Sequence, residues 1–338
     1  MRKGIRVIVS CLLFFLVLCF ALNWVTDILI PKSTNRCYIL EKYLEEHPEH
    51  NLSDVGVFGS CHAYTSFDTV YLKERTGIDS FVYGNPSEIM PVTYLRMIDH
   101  FKKHTPKVVL VETWGINPYE TYIDQDSLFG EYLDTNLELT GFSLAKQEVI
   151  RDYEHFNENI NPFLMNLPLA RYKERMVDGS LTDVDFNYSF EATEQYSLDF
   201  LFSEMTLRLN NCGFRRNPSR DNSDYPERQG TIRAGESAEI EPDIVKYIQK
   251  IIDLCKKNDV ELIFYRAPYI SNENELKKLN HLREICDDNG IIFIDLEEEI
   301  PYSYLTDFFD YQHLSETGAA KSTEYLSSYI QNALERSS

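Results

Sequence analysis

Short apolar runs alternate with segments of helical periodicity in two parts of the chain, residues 50–118 and 240–335. Such runs, separated by helices, are typical of strands buried in a parallel sheet. The strands are predicted at residues 55–58, 80–83, 107–113, 261–265 and 291–296. The helices are predicted at residues 37–46, 67–75, 87–104, 243–257, 272–288 and 315–334, with Ser87 and Ser315 as caps of two of them. This alternation predicts an α/β fold with a central parallel sheet between two layers of helices.

The alternation stops between residues 119 and 238, in a segment rich in Tyr, Phe, Asn and Asp. Helical pieces are predicted near residues 139–152 and 197–209, and a polar, mobile loop over residues 212–230. We interpret the segment as a mostly helical insertion that divides the α/β domain into residues 31–118 and 239–338. Two roles stay open for it: a lid over the active face, or a lateral helical subdomain with no catalytic part.

The first 30 residues have the pattern of a membrane anchor. Residues 7–25 are apolar apart from Ser10 and Asn23, and this length is enough for a helix to cross a bilayer. Basic residues precede the apolar run and acidic residues follow it, so the positive-inside rule predicts an N-terminus inside the cell and the remaining chain outside. A cleaved signal peptide is the alternative, although no small-x-small cleavage site follows the run.

Charge and cysteine content narrow the function classes. The net charge of −21 argues against a nucleic-acid partner, because no basic stripe offsets repulsion by phosphates. The seven cysteines are scattered and form neither a disulfide scaffold nor a zinc pattern. His47 and His50 have a spacing found among metal ligands, but we interpret them as surface residues in an acidic stretch. We expect neither a metal nor another cofactor.

Candidate chemistry begins where the first predicted strand ends. There Gly59 is followed by Ser60 and Cys61, and then by a segment that is predicted to be helical. A strand-to-helix turn presents a hydroxyl or thiol at the carboxyl edge of a sheet, where a nucleophile can be activated. Far downstream, Asp310 and His313 have the three-residue spacing of an orienting carboxylate and a base. Together these residues predict acyl-transfer chemistry.

Four motifs in this order resemble those of the SGNH/GDSL hydrolase superfamily. They are Gly59-Ser60-Cys61 after the first strand, Gly84 after the second, Gly115-Ile116-Asn117 after the third, and Asp310-Tyr311-Gln312-His313 near the C-terminus. The resemblance covers residues 50–118 and 240–335 and implies a three-layer α/β/α fold of the SGNH or flavodoxin-like type. With the N-terminal anchor, the chain is similar to the branch that includes proteins of teichoic-acid D-alanylation and polysaccharide O-acetylation. That branch implies a cell-envelope polysaccharide or teichoic acid as substrate, and a multi-pass membrane O-acyltransferase as partner.

The resemblance also implies roles for individual residues, with one departure from the family pattern. Cys61 stands where the family has its serine nucleophile. His313 would be the base and Asp310 the residue that orients it, while Gly84 and Asn117 would form the oxyanion hole. A thioester intermediate on Cys61 favours transfer to an acceptor over simple ester hydrolysis.

Two alternatives stay open at this turn. Ser60 would be the nucleophile if the motif were shifted by one residue. Alternatively, the change from serine to cysteine would mark a non-catalytic envelope-assembly protein that keeps the cleft for binding. His62 is interpreted as structural, and Asp307 is set aside because only Asp310 has the three-residue offset from His313. The sequence leaves open the acyl group, the acceptor and the direction of transfer.

Overall fold

A five-stranded parallel sheet forms the centre of the protein. This computed structural model describes residues 2–29, 36–117, 137, 143–154, 205, 208–222 and 236–337. The strands are β1 Val55–Phe58, β2 Ser80–Val82, β3 Val108–Glu112, β4 Glu261–Arg266 and β5 Ile292–Asp295. Their spatial order is β2-β1-β3-β4-β5, and every neighbouring pair is parallel. The predicted α/β fold with a central parallel sheet is confirmed.

Helices cover both faces of the sheet. They are α1 Arg2–Leu29, α2 Arg36–Glu46, α3 Cys61–Ser66, α4 Thr69–Thr76, α5 Met90–Lys103, α6 Leu144–Glu154, α7 Pro242–Lys257, α8 Glu273–Asn289, α9 Leu296–Glu299 and α10 Glu316–Arg336. Side chains of α2, α5, α7 and α8 pack with alternate strand residues such as Val109 and Val111. Residues of α3, α4 and α10 pack with the intervening ones, such as Val108 and Leu110. Because both faces are covered, the strands are apolar between their ends, which is why apolar runs predicted them.

Of the two helix caps predicted from the sequence, the structure has one and lacks the other. Ser315 caps α10 as predicted, by accepting a hydrogen bond from the Gly318 N–H. The predicted cap at Ser87 is wrong, because α5 begins at Met90 and its N-cap is Ile89. Ser87 instead adopts a left-handed conformation with φ of 52°. The physical reason lies in Pro91, whose ring favours the first turn of a helix and so places the start of α5 after Ser87.

Part of the predicted insertion lies against the outer helices. Helix α6 overlaps the predicted helical piece at residues 139–152, of which residues 139–142 are outside the described part. Asp152 of α6 accepts hydrogen bonds of 2.8 Å from both Lys246 and Tyr247 of α7. These contacts place α6 on the side of the domain. The second predicted helical piece, at residues 197–209, is described only at residues 205, 208 and 209.

Residues 208–222 of the insertion run instead along the sheet edge towards the carboxyl ends of the strands. The Cys212 carbonyl accepts a hydrogen bond of 3.0 Å from the Val82 N–H of edge strand β2. Further along, Arg215 N–H donates to the Tyr64 carbonyl over 2.7 Å, and Arg220 N–H donates to the Phe308 carbonyl over 3.1 Å. Within the predicted mobile loop, residues 212–222 are therefore hydrogen-bonded to the domain. Residues 223–230 lie outside the described part.

The N-terminal segment forms a single α-helix, α1. Among the residues that the structure describes, none of the helices combines the length and the apolar character needed to cross a membrane. The anchor at residues 7–25 therefore stays a prediction from the sequence, without support from the structure.

Candidate active site

The site lies where chain connections leave the sheet in opposite directions. Strands β1 and β3 are neighbours in the middle of the sheet, with β2 on one side and β4 and β5 on the other. In parallel sheets of this order, a crevice opens at the carboxyl ends of the two central strands. Gly59, Ser60 and Cys61 follow β1, Gly84 follows β2, and Asn117 follows β3. The structure thus brings the predicted residues of the first part of the domain to one edge.

The turn after β1 requires glycine at its first position. Gly59 has a φ of 135°, and a Cβ atom there would lie 2.8 Å from Glu112 Cβ. The turn then leads directly into α3, whose N-cap is Ser60 and whose first residue is Cys61. The Cys61 thiol is half-buried and forms no disulfide bond. The chain therefore presents this thiol at the edge of the sheet, at the start of a helix.

Asp310 and His313 form a close pair in the loop before α10. The Nδ1 atom of His313 lies 3.0 Å from both carboxylate oxygens of Asp310. Asp310 Oδ1 also accepts hydrogen bonds of 2.8 Å from the N–H groups of Gln312 and His313. The contact with Asp310 fixes the orientation of the His313 ring, and the second ring nitrogen can interact with another partner.

That partner is the thiol of Cys61. The Cys61 sulfur, one ring nitrogen of His62 and one ring nitrogen of His313 all lie within 4.8 Å of one another. Burial acts to lower the pKa of His313, but the charge of the Cys61 thiolate and the hydrogen bonds from Asp310 and Cys61 outweigh it and raise that pKa to about 10. Burial acts to raise the pKa of Asp310, yet the hydrogen bond and charge of His313 lower it. The Asp310 carboxylate, the His313 imidazole and the Cys61 thiol therefore interact in sequence.

Ser60, the alternative nucleophile, is engaged elsewhere. Its side chain is 0 % exposed, and its Oγ donates a hydrogen bond of 2.7 Å to Glu112 Oε2. The same Oγ accepts a hydrogen bond of 3.2 Å from the His62 N–H. The hydroxyl therefore caps α3 and points into the protein, away from the edge where Cys61 lies.

The two residues predicted for the oxyanion hole have different surroundings. The Asn117 side chain is 1 % exposed, and neither its amide nitrogen nor its oxygen has a hydrogen-bond partner among the described residues. Gly84 lies against the turn after β1, because a Cβ atom there would be 2.8 Å from the Gly59 carbonyl oxygen and 2.9 Å from that of Ser60. The Asn117 amide can thus donate a hydrogen bond to a ligand. Because Gly84 has no side chain, the turns after β1 and β2 can approach each other closely.

Three residues near the site were not assigned a catalytic or supporting role from the sequence. Glu112 ends β3 and is fully enclosed, and burial raises its pKa to about 7 although hydrogen bonds from Ser60 and Trp114 act to lower it. Its position as a charged residue at the end of an apolar run could have indicated a role for Glu112 from the sequence. Arg208 is fully buried and donates a hydrogen bond of 2.7 Å to the Gly84 carbonyl, and it had no such signal. His62, interpreted as structural, stacks on His313 with ring centroids 5.1 Å apart.

Asp307, set aside in favour of Asp310, supports the loop. It is fully buried and accepts hydrogen bonds from the Ser303 N–H and, over 2.7 Å, from Lys321 Nζ. Its own carbonyl accepts a hydrogen bond of 2.9 Å from the Ser315 N–H. These contacts hold the loop that carries Asp310 and His313.

Comparison with known proteins adds little to this picture. No family model matches the sequence, and no match was found among curated proteins. Among solved structures, the chain is similar to a protein of Bacteroides fragilis to which acylhydrolase activity has been ascribed. The identity is 12 % and the TM-score is 0.38, with 88 % of this chain and 96 % of that chain covered. A similarity this weak carries no argument about the activity of this protein.

Proposed function

We propose that the protein is an SGNH-type acyltransferase or esterase with a Cys61–His313–Asp310 triad. The observation that supports it most is the continuous chain of contacts at the sheet edge. Asp310 holds Nδ1 of His313, and the same ring interacts with the Cys61 side chain. A base that is oriented by a carboxylate and faces a nucleophile is the arrangement that acyl transfer requires.

In the proposed first step, the Cys61 thiolate attacks the carbonyl carbon of an ester and a C–S bond forms. The carbonyl oxygen becomes an oxyanion, to which the Asn117 amide and the N–H groups of Cys61 and Gly84 donate hydrogen bonds. The imidazolium of His313 gives its proton to the leaving alkoxide as the C–O bond breaks. The products are an alcohol and a thioester on Cys61, with His313 neutral.

In the second step, neutral His313 takes a proton from an acceptor hydroxyl or from water. The oxygen attacks the thioester, the C–S bond breaks, and the Cys61 thiolate and the His313 imidazolium are restored. A thioester reacts readily with hydroxyl and amine acceptors, so we favour transfer over hydrolysis. The burial of Ser60 and its hydrogen bond to Glu112 support Cys61 as the nucleophile.

The proposed substrate is an O-acyl group on a cell-envelope glycan, either a polysaccharide or a teichoic acid. This part of the proposal rests on the resemblance in sequence and on the apolar run at residues 7–25. It includes a single-pass anchor with the N-terminus inside, the α/β domain outside, and a multi-pass membrane O-acyltransferase as acyl donor. Protease treatment of intact cells tests it: a tag at the C-terminus should be cleaved, whereas a protected tag contradicts the proposed topology.

The catalytic proposal is tested by intact-mass spectrometry after brief incubation with an activated acetyl ester. Wild type, Cys61→Ala, Ser60→Ala and His313→Ala are compared, with Cys212→Ala as a matched control that removes a half-buried thiol elsewhere. We expect one acetyl adduct that depends on Cys61 and His313 but not on Cys212. An adduct that depends on Ser60 and survives in Cys61→Ala would contradict the assignment of the nucleophile.

A thiol probe separates the enzyme from a protein that only binds its ligand in this cleft. In the enzyme, Cys61 should be labelled much faster than the buried Cys255 and Cys286, and His313→Ala should slow this labelling. In a pure binding protein, the rate at Cys61 should not depend on His313.

A further inference from the structure

The donor atoms of Cys61, His62 and His313 form a cluster that the proposed acyl chemistry does not fully use. We propose that these three residues bind a soft divalent transition-metal ion, with zinc as the representative. Their ligand atoms all lie within 4.8 Å of one another, and the two histidines with the thiol supply one sulfur and two nitrogens. This donor set is the one that zinc prefers, and three protein ligands leave a fourth position for water.

The spacing of the ligand atoms is close to what a tetrahedral ion needs. With metal–ligand bonds of about 2.0–2.3 Å, neighbouring ligand atoms of a tetrahedral site lie roughly 3.5 Å apart. The ligand atoms lie within 4.8 Å of one another, so the cluster has to contract by at most on the order of 1 Å to reach this spacing. Magnesium and calcium prefer oxygen ligands, whereas the three donor atoms of this cluster are one sulfur and two nitrogens.

Both imidazoles are held in place before any ion binds. Asp310 holds Nδ1 of His313 over 3.0 Å, so the second ring nitrogen is the one turned to the cluster. A carboxylate behind a metal-binding histidine is a recurrent outer-shell arrangement that raises the basicity of the ligand. His62 is 3 % exposed, stacks on His313 at an interplanar angle of 18°, and lies 4.7 Å from the ring of Tyr269.

The ion would bind to the sulfur of the proposed nucleophile and to the second ring nitrogen of the proposed base. Zinc should therefore block acyl transfer reversibly, and a chelator should restore it. This consequence rests on the proposed function, whereas the binding of the ion does not. The site was not apparent in the sequence, because adjacent Cys61 and His62 are far in sequence from His313 and share no zinc-type spacing.

Binding is tested with cobalt(II) as a spectroscopic probe on the full chain, followed by displacement with zinc. We expect saturable binding of one ion, intense visible bands of tetrahedral cobalt and a thiolate-to-cobalt charge-transfer band in the near ultraviolet. Cys61→Ala should abolish the charge-transfer band. The matched control is Cys212→Ala, because Cys212 Sγ lies 3.6 Å from His50 Nδ1 and forms another Cys–His pair. A charge-transfer band that persists in Cys61→Ala or disappears in Cys212→Ala would overturn the assignment.

Two variants test the histidine ligand and the outer-shell carboxylate. Asp310→Asn should weaken zinc binding by about 10–100-fold, as loss of an outer-shell partner does. His62→Phe keeps a ring against His313 and Tyr269 but removes a ligand, so it should weaken binding by more than Asp310→Asn. Zinc affinity of His62→Phe equal to that of wild type would show that the site does not contain His62, and would overturn the proposal.

Wild-type protein provides a readout that does not depend on how the variants fold. Zinc should slow alkylation of Cys61 by iodoacetamide, measured by peptide mass spectrometry, and leave the rate at Cys212 unchanged. Equal rates at Cys61 with and without saturating zinc would contradict the proposal. Because neither measurement needs an acyl substrate, failure of the metal site and failure of the acyl chemistry are distinguished.

Discussion

The Ser60 hydroxyl donates a 2.7 Å hydrogen bond to Glu112 Oε2, and this contact joins the turn after β1 to the end of β3. The other oxygen of Glu112, Oε1, accepts a hydrogen bond of 2.7 Å from the Trp114 N–H. Trp114 begins the short 3₁₀ turn Trp114–Ile116, and Asn117 is its C-cap. One buried carboxyl therefore holds both the turn that presents Cys61 and the turn that presents Asn117.

Glu112→Gln should disturb both turns, because an amide has one acceptor oxygen and its NH₂ group would face the N–H of Ser60 or Trp114. We expect a loss of about 1–3 kcal/mol in the free energy of unfolding and slower acylation of Cys61. Chemical denaturation and the rate of adduct formation measure the two effects. Glu88→Gln is the matched control, since Glu88 is likewise fully buried and burial raises its pKa to about 7. Equal acylation rates in the two variants would contradict a positioning role for Glu112.

The titration of His313 gives a prediction with a definite sign. Its pKa in the folded protein, about 10, is higher than the ordinary value of 6.5, so its charged interactions stabilise the fold fully below pH 6.5. This contribution should be lost as the pH rises from 6.5 through about 10. We expect the His313 ring signal in NMR to titrate far above neutral pH, and acylation to decline on the alkaline side as the imidazolium is lost.

Cys61→Ala should lower the pKa of His313, because it removes the charge and the hydrogen bond of Cys61 that raise this pKa against the effect of burial. Asp310→Asn should lower it as well, by removing the carboxylate charge and weakening the hydrogen bond to Nδ1. An His313 signal that titrates near pH 6.5 in wild type and in both variants would show that the three side chains do not interact.

Gly84→Ala tests the close approach of the turns after β1 and β2. The new Cβ atom would meet the carbonyl oxygens of Gly59 and Ser60 at 2.8 and 2.9 Å, so one turn must move. We expect a loss of stability of about 1–3 kcal/mol together with slower acylation of Cys61. Gly77→Ala is the control: its φ of 77° strains an alanine, but no atom lies within 4 Å of the added Cβ. That variant should lose stability and keep the acylation rate.

Asn117→Ala should lower the acylation rate and leave the stability of the fold nearly unchanged. The amide is buried and has no hydrogen-bond partner among the described residues, so its removal should change the free energy of unfolding little. Loss of one oxyanion donor should lower the acylation rate by about 10²–10³-fold. Asn280→Ala should show the reverse behaviour, because Asn280 lies in α8 and its Nδ2 donates a hydrogen bond of 2.7 Å to the Glu236 carbonyl. An unchanged rate in Asn117→Ala would remove this residue from the oxyanion hole.

The strands and the Asp310–His313 pair could be predicted from the sequence, because both depend on local pattern. A strand buried on both faces has to be apolar throughout, and β1 begins and ends at the predicted residues. The three-residue spacing places a carboxylate and an imidazole on one loop, and the hydrogen bonds of Asp310 to the backbone complete the arrangement. Such signals need no knowledge of distant parts of the chain.

The choice between Ser60 and Cys61 could not be made from the sequence. Both residues lie in the same turn, and their side-chain directions depend on which of them caps α3. Ser60 does so while its hydroxyl donates a hydrogen bond to Glu112 on the neighbouring strand, and that carboxyl is far away in sequence. Arg208 was missed for the same reason, since its partners Gly84 and Tyr64 come from another part of the chain.

The separation of Cys61 and His313 along the chain has a consequence during synthesis. Cys61 lies in the first quarter of the sequence and His313 in the last tenth. At roughly 5–20 residues per second, the ribosome completes the thiol on the order of ten seconds or more before its imidazole. A nascent or truncated chain would therefore carry Cys61 without His313, and the contact between the two side chains would form only once α10 packs beside α3.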